Sequence, residues 1–333
     1  MLVSLIRNSG SMNDSNAQLR DRVATLCAWS DVVFKKLTSR SNSRLEYGRW
    51  LKLVAEYYLD ILNGDGSDQV HLAATQTLVL RTVKKSGQSY SDICQVFRGA
   101  SGLRSKTVNL RSSQAIRSQY PDATSEQAEA LMLRYHLLIK SGGHFLSIYR
   151  SLYQSLARSS KLPVLECYAS PFNRNLTHYC SLFDEDVHFG ACPRFDKFID
   201  TITFPCRLIA NPPYTVKAIH TCIEKILKYM SNHNGEFIAL LPYLENSADM
   251  EELLKSKNTA SVLLQGDSYL LHDFITQADL VAPMQLYIVV NVEGSYIKSS
   301  EMANNIVHEM RLCAMEHSKR LRSTDVEQRE VDY

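Results

Sequence analysis

From about residue 16 to residue 160, apolar positions recur every three or four residues, the period of an amphipathic helix rather than of a strand. Within 44–62 the residues Trp50, Leu51, Val54, Tyr57, Tyr58, Ile61 and Leu62 form one stripe, which Asn63-Gly64 ends. Further helices are predicted over 70–84, 89–98, about 125–140 and 143–157, with Gly142-Gly143 breaking the last two. After Leu162-Pro163 the pattern changes to short apolar runs at 164–170, 207–211, 237–243, 261–265 and 286–292, with an amphipathic helix over Val216–Met230. Buried strands alternating with helices predict an α/β fold on a parallel sheet, behind an N-terminal all-helical domain. The expected domains are 1–160 helical, 161–298 α/β, and 299–333 a C-terminal helix, about 300–321, with a frayed tail.

Composition keeps this picture within the globular class, since 45% of the 333 residues are hydrophobic and 22% charged. The opening apolar stretch is too short for a signal segment, and the longest later runs are of strand length, so a soluble, non-secreted chain without a membrane partner is expected. Lys and Arg total 37 against 35 Asp and Glu, so the net charge of +2 carries no message about partners and only its distribution can. The 8 cysteines show no Cys-x-x-Cys. Cys180, Cys192 and Cys206 with His178 and His188 form the densest group, but their irregular spacing lacks the zinc pattern, and no metal is expected. Trp29 and Trp50 have nearly the spacing of a WW domain, yet they sit in a helical pattern with no proline soon after the second, so no WW domain is expected there.

The tetrapeptide Asn211-Pro212-Pro213-Tyr214 follows the apolar run RLIA and precedes a helix. That is the carboxyl end of a strand, where open α/β sheets place ligands. Such a tetrapeptide arises by chance in roughly one chain of this size in a hundred, given a proline content near 5%. A rigid turn with Tyr214 as a core aromatic is the plain reading, and a proline ligand for a WW domain fails because Tyr214 directly follows Pro213. The chemical reading is methylation of a planar exocyclic amine such as adenine N6, whose lone pair is delocalised into the ring. The Asn211 side-chain carbonyl and the Pro212 backbone carbonyl can each accept one amine hydrogen, turning the lone pair toward an electrophilic methyl, while the prolines hold them rigid and Tyr214 stacks on the base. Such catalysis is positioning and preorganised polarity, so no strongly shifted base is needed. The candidate for the other half of the site is VLECYASPFN, 164–173, in which Ala169, Ser170, Pro171, Phe172 and Asn173 occupy the place of a first-strand loop without its usual glycines. A buried strand ending in Ser-Pro explains the same residues.

CYASPFN at 167–173, Phe189-Gly190 and ANPPY at 210–214, in that order and spacing, resemble the methyltransferase core of the phosphorylated-CTD-interacting factor family, and RYHLLIKSGGHF at 134–145 is similar to the end of that family's helical domain. The resemblance covers about 125–300. It implies a Rossmann-like S-adenosylmethionine-dependent methyltransferase that methylates N6 of the 2'-O-methylated adenosine next to the 7-methylguanosine cap of mRNA, in the nucleus or alternatively the cytoplasm. By position it makes Asn211, Pro212, Pro213 and Tyr214 catalytic. It assigns Ala169, Ser170, Pro171, Phe172, Asn173, Phe189, Gly190 and Asn211 to the cofactor, with Asp186 or Asp184 on its ribose hydroxyls. Two departures stand out: Tyr214 where the family often has Phe, and no WW domain, so no WW-mediated contact with the polymerase tail is expected.

Charge distribution points to RNA independently. Residues 69–121 carry Arg81, Lys84, Lys85, Arg98, Arg104, Lys106, Arg111 and Arg117 against one acid, Asp92. Arg98, Arg104, Lys106, Arg111 and Arg117 are the candidate RNA-binding residues, suited to phosphate neutralisation, though a solvated basic helix face would read the same way. HSKRLR at 317–322 is a weaker case. The alternatives to a cap-adjacent enzyme are a cap-independent adenine or protein glutamine methyltransferase, or an inactive cap- or RNA-binding protein.

Overall fold

The computed structural model describes residues 16–39, 45–62, 68–99, 114–141, 145–275, 278–292, 298–313 and 315. The chain forms two compact units, Met1–His144 and Phe145–Tyr333.

The first unit is helical, with helices Asn16–Thr38, Tyr47–Leu62, Asp68–Ser86, Tyr90–Gly99, Gln114–Gln119 and Ser125–Ser141. Part of the stripe read from the sequence lies in its core, where Trp50, Val54 and Tyr57 pack with Trp29, Val33, Leu78, Ile93 and Phe97, and the side chains of Ile61 and Leu62 lie outside the described residues. Trp29 and Trp50 lie with ring centroids 5.9 Å apart on two helices, which removes them from any WW module. The Trp50 indole N–H donates to the carbonyl and hydroxyl of Ser30 at 3.0 and 2.9 Å, so its one polar atom is satisfied inside the core. Ser89 caps the helix Tyr90–Gly99, accepting from the Asp92 N–H at 3.2 Å and donating to its carboxylate at 2.7 Å.

The second unit is built on a six-stranded sheet in the order β3-β2-β4-β5-β9-β6, with β2 Val164–Ala169, β3 Tyr179–Ser181, β4 Arg207–Ala210, β5 Glu236–Pro242, β6 Ala260–Leu264 and β9 Leu286–Asn291. β3, β2, β4 and β5 are parallel. The expectation of an all-parallel sheet is corrected at the other edge, where β9 runs antiparallel to both β5 and β6. A strand buried on both faces reads as one apolar run whichever way it points, so LYIVVN carried no directional signal. Helix Val216–Asn232 covers one face with Ile219, Cys222, Ile223 and Ile226 against Leu208, Ala210 and Phe237. Residues 299–313 form a helix whose Met302, Ala303, Ile306 and Met310 cover the other, against Ile209, Ile238 and Val290. The remainder of the expected 300–321 helix lies outside the described residues.

The helix expected over 143–157 is also corrected. Leu146–Ser147 forms a short strand, β1, and the helix starts at Arg150, running to Arg158. β1 pairs antiparallel with β7, Leu270–Asp273, which pairs with β8, Ala278–Val281, making a second sheet of order β1-β7-β8. Ile148, Tyr153 and Leu156 are buried with Ile209, Leu240 and Leu271. This burial ties residues 145–158 to the sheet unit, although the composition shift in the sequence comes only near 160.

A buried ion pair closes the amino ends of two central strands. Arg207 opens β4 and Glu236 opens β5, paired in register. The guanidinium donates to the Glu236 carboxylate at 2.6 Å, and through Nη1 to the Leu156 carbonyl and the Ser159 hydroxyl at 2.7 Å each. Neither partner is more than 3% exposed, so each charge relies on the other and on these extra hydrogen bonds.

Candidate functional site

The chain leaves β2 for β3 on one side of it, then places β4 on the other side. That reversal makes the carboxyl ends of β2 and β4 the topological switch point, the position at which open α/β sheets have the crevice that binds ligands. The two segments singled out in the sequence are the loops at that crevice: Ala169–Asn173 leaves β2 and Asn211–Tyr214 leaves β4.

Every residue of β4 is buried, and Asn211 continues that run at 8% exposure. Its amide is held from outside the motif: Nδ2 donates to the Ser147 hydroxyl at 3.3 Å and to the Leu146 carbonyl at 3.4 Å, both on β1. Ser147 in turn donates to the Tyr153 hydroxyl at 3.3 Å. With both amide hydrogens directed at β1, Oδ1 faces the other way. It accepts from the Tyr214 hydroxyl at 3.1 Å, which engages one of its two lone pairs. Pro212 is buried and Pro213 exposed, and the Pro213 carbonyl accepts from the Thr215 N–H at 2.7 Å. Thr215 then caps the following helix, accepting from the Ala218 N–H at 3.3 Å. Tyr214 is half-buried against the core containing Ile148, Ile209 and Tyr269, and burial pushes its phenol well up. It both packs and orients Asn211.

The Ala169–Asn173 loop closes on itself. Ser170 accepts from the Phe172 N–H through its hydroxyl at 3.3 Å and donates to the Asn173 side-chain carbonyl at 2.7 Å, while its own carbonyl accepts from the Asn173 and Arg174 N–H groups. Backbone donors that a glycine-rich loop would present to a ligand are here satisfied internally. Pro171 and Asn173 are buried and Phe172 half-buried, its ring meeting Phe145 edge-on at 5.9 Å.

Ser181 joins this loop to the second group of expected residues. Its hydroxyl lies 3.4 Å from the Ala169 carbonyl and donates to the fully buried Asp186 carboxylate at 2.6 Å. Asp186 begins no helix of its own but lies in a 3-10 turn, Asp184–Phe189, which Gly190 ends in the left-handed conformation at φ 81°. The Phe189 carbonyl accepts from the Tyr179 hydroxyl at 2.8 Å. Asp184 pairs with Lys197 at 3.2 Å through one oxygen, while its other oxygen is enclosed without a hydrogen-bond partner.

One site residue escaped the sequence reading. Glu166 on β2 is 1% exposed and accepts from the Asn175 N–H at 2.8 Å, the Leu176 N–H at 2.9 Å and the Asn175 side-chain amide at 2.9 Å. It thereby pins the chain that follows the loop. Burial raises its carboxyl to about 7, opposed by those hydrogen bonds and by the Arg150 charge. The signal was a lone acid inside an apolar strand, VLECYA. The Asn175 amide also donates to the Asn173 carbonyl at 3.3 Å, leaving its buried Oδ1 without a partner.

Of the candidate RNA-binding residues, Arg117 is exposed on the helix Gln114–Gln119. Arg104, Lys106 and Arg111, and the side chain of Arg98, lie outside the described residues. Lys84 and Lys85 are exposed, whereas Arg81 pairs with Glu56. Among the described residues no group of three or more His, Cys, Asp and Glu could hold a metal ion, and no helix is long and apolar enough to cross a membrane. Cys180 and Cys192 are neighbours in a parallel bridge, and burial pushes the Cys180 thiol up.

The fold is an open, mixed α/β sheet, and its polar tetrapeptide lies at the topological switch point, where sheets of this kind place ligands. Residues 109–272, a little under half of the chain, match the family model described as "Phosphorylated CTD interacting factor 1 WW domain". The matched span contains neither of the 2 tryptophans, and its described part folds as helices and sheet, so the likeness resides in the α/β unit and the end of the helical one. No curated protein matches the chain.

Proposed function

We propose that this protein is a Rossmann-like, S-adenosylmethionine-dependent methyltransferase acting on N6 of adenosine in RNA, and that its substrate is the cap-adjacent 2'-O-methyladenosine of 7-methylguanosine-capped mRNA. The observation that carries this reading is Asn211 at the switch point, its amide anchored through Nδ2 on β1 and its Oδ1 engaged through one lone pair by the Tyr214 hydroxyl. The family match over 109–272 supports it and favours the nucleus as the place of action. No metal is called for.

The crevice suits the cofactor. Asn175 Oδ1 and Asp184 Oδ1 are buried acceptors without partners, the complement of a ligand carrying hydroxyl and ammonium donors. Asn173, Asn175, Asp184 and Asp186 would hold it, and when bound it supplies an electrophilic methyl on a sulfonium. Asn211 Oδ1 accepts one hydrogen of the target amine and the Pro212 carbonyl the other, turning the nitrogen lone pair toward that methyl. Transfer of that methyl would leave the nitrogen with one proton to shed to water. Alignment does the work of a base here.

Asn211→Ala is expected to lower kcat by about 10²- to 10³-fold, the cost of one preorganised polar partner, with cofactor affinity retained by calorimetry. The substrate is tested by transfer of labelled methyl to two RNAs beginning with adenosine, one with a 7-methylguanosine cap and one with a 5'-triphosphate, followed by nucleoside digestion. N6-methyladenosine at the first position of the capped RNA alone meets the proposal. Equal labelling of both makes it a cap-independent adenine methyltransferase, and labelling of neither refutes RNA methylation and directs the search to glutamine peptides or to a purely binding role.

A further inference from the structure

The three hydrogen bonds that the buried Glu166 carboxylate accepts are not equivalent. Its Oε2 takes the backbone N–H groups of Asn175 and Leu176 at 2.8 and 2.9 Å, and backbone donors cannot turn away. Its Oε1 takes the Asn175 side-chain amide at 2.9 Å, and an amide can turn. The same Nδ2 donates to the Asn173 carbonyl at 3.3 Å, so both of its hydrogens are engaged and the Asn175 Oδ1 is left buried without a partner. This is the arrangement of an ionised carboxylate, which accepts and cannot donate. With Oε2 filled by two fixed donors, a proton added to Glu166 belongs on Oε1, where the new O–H meets the Nδ2 donor head-on. Half a turn of the Asn175 amide relieves that conflict. Oδ1 comes round to accept from the O–H, and Nδ2 goes to where Oδ1 stood.

We infer that Glu166 is a positioning residue for the cofactor that acts only when ionised: its charge keeps Asn175 Oδ1 available to the ligand's donors, and a proton on it replaces that acceptor by a donor. The inference rests on the proposed cofactor site and deepens it. Arg150 and Tyr153 face Glu166 from the helix Arg150–Arg158, Cys167 follows it on β2, and Tyr179 and Ile209 stand beside it in register on β3 and β4. Arg174 lies over the Tyr179 ring, 5.6 Å from its centroid. Burial pushes the Tyr153 phenol and the Cys167 thiol well up, the Tyr179 hydroxyl donates to the Phe189 carbonyl, and a guanidinium does not release its proton. Glu166 is the member of this set that changes charge near neutrality. Burial lifts its carboxyl to about 7, against the pull of the Asn175 and Leu176 hydrogen bonds and of the Arg150 charge. Affinity for the cofactor is therefore complete above about pH 7 and declines as pH falls through that value.

The test is calorimetric binding of S-adenosylhomocysteine to the full chain and to its Glu166→Gln variant, from about pH 8 down to about pH 6. The unaltered chain is expected to bind about tenfold more weakly at the lower end, the linkage of one proton with a midpoint of about 7. Glutamine keeps one acceptor and places a donor beside it, as the protonated carboxyl does. The variant should therefore bind throughout as weakly as the unaltered chain does at the lower end. The ratio of the two affinities at each pH cancels any titration of the ligand. A merely structural role lowers the variant's affinity by the same factor at every pH, and that constant ratio overturns the inference while leaving the cofactor site standing. Absence of binding by the unaltered chain at every pH overturns the cofactor reading as well. A second measurement needs neither ligand nor variant. The Asn175 side-chain amide resonances of the isotope-labelled free chain are expected to move with a midpoint of about 7, and resonances that hold still overturn the inference even where Glu166→Gln fails to fold.

Discussion

Asn211, in the loop that leaves β4, and Ser147, on β1 of the small sheet, are separated by 64 residues, yet the Asn211 amide donates to the Ser147 hydroxyl at 3.3 Å. The motif residue is therefore aimed by a residue outside the motif. An amide rotates about its last bond at little cost, and the contact with β1 fixes which end is which, leaving Oδ1 to accept from the Tyr214 hydroxyl.

Ser147 should then behave as a positioning residue. Ser147→Ala is expected to reduce kcat about tenfold or more, because small misplacements at a reacting centre are costly, with little change in KM for RNA. Ser147→Thr, which keeps the hydroxyl on a strand that suits a β-branched residue, should recover most of the loss. Steady-state kinetics of the two variants separates this role from a purely structural one, since a packing defect would lower thermal stability in both.

The Tyr214 hydroxyl donates to the same oxygen of Asn211 at 3.1 Å. Removing it in Tyr214→Phe leaves the ring and frees a lone pair for substrate, so methyl transfer should persist within a few-fold. Tyr214→Ala removes a half-buried ring from the core and should cost about 3 to 5 kcal/mol of stability as well as activity. Paired melting curves and transfer assays decide this.

What could be read from the sequence follows from how local each signal is. Val164–Ala169, Arg207–Ala210 and Glu236–Pro242 were visible because a strand buried on both faces needs an unbroken apolar run. The site tetrapeptide was visible because its chemistry is contained in four adjacent residues. β1 and β3 were not, being two and three residues long and defined by their partners rather than by a period of their own. The hairpin Leu270–Asp273 and Ala278–Val281 alternates too little to be distinguished from loop, yet it pairs with β1, whose Ser147 holds Asn211. Glu166 stood in plain view as an acid in a strand, but its partners at Asn175 and Leu176 appear only when the loop closes.

Glu166 also makes stability depend on pH. Its carboxyl is raised from 4.5 to about 7 in the folded chain, chiefly by burial. The folded state thus holds this proton where the unfolded state has released it. Stability is greatest below the unfolded value and falls as pH rises from about 4.5 to about 7, levelling off above, with a full span of about 3 kcal/mol from this group. Glu166→Gln should flatten that decline. It should also loosen the loop, because one of the two oxygens becomes a donor facing an N–H group. Denaturant melts across that pH range, for both proteins, test the slope.

Breaking the Arg207–Glu236 pair on one side should be severe. Glu236→Ala leaves a guanidinium buried without its counter-charge and is expected to cost about 3 to 5 kcal/mol, lowering Tm by about 2 to 4 °C for each of those. The double replacement Arg207→Met with Glu236→Leu should recover much of the loss, since the penalty comes from the orphaned charge. The pair sits at the amino ends of β4 and β5, opposite the crevice, so stabilised variants should keep their activity.

Both tryptophans, Trp29 and Trp50, are buried in the helical unit, against Phe97, while the sheet unit has none. Indole emission is consequently a private reporter. Excited at the red edge of absorption, the chain speaks only for the helices, and the sheet with its crevice must be followed through tyrosine or by ligand. A ligand that protects the crevice shifts the second signal directly, and any shift in the first measures how far one unit's unfolding is felt by the other.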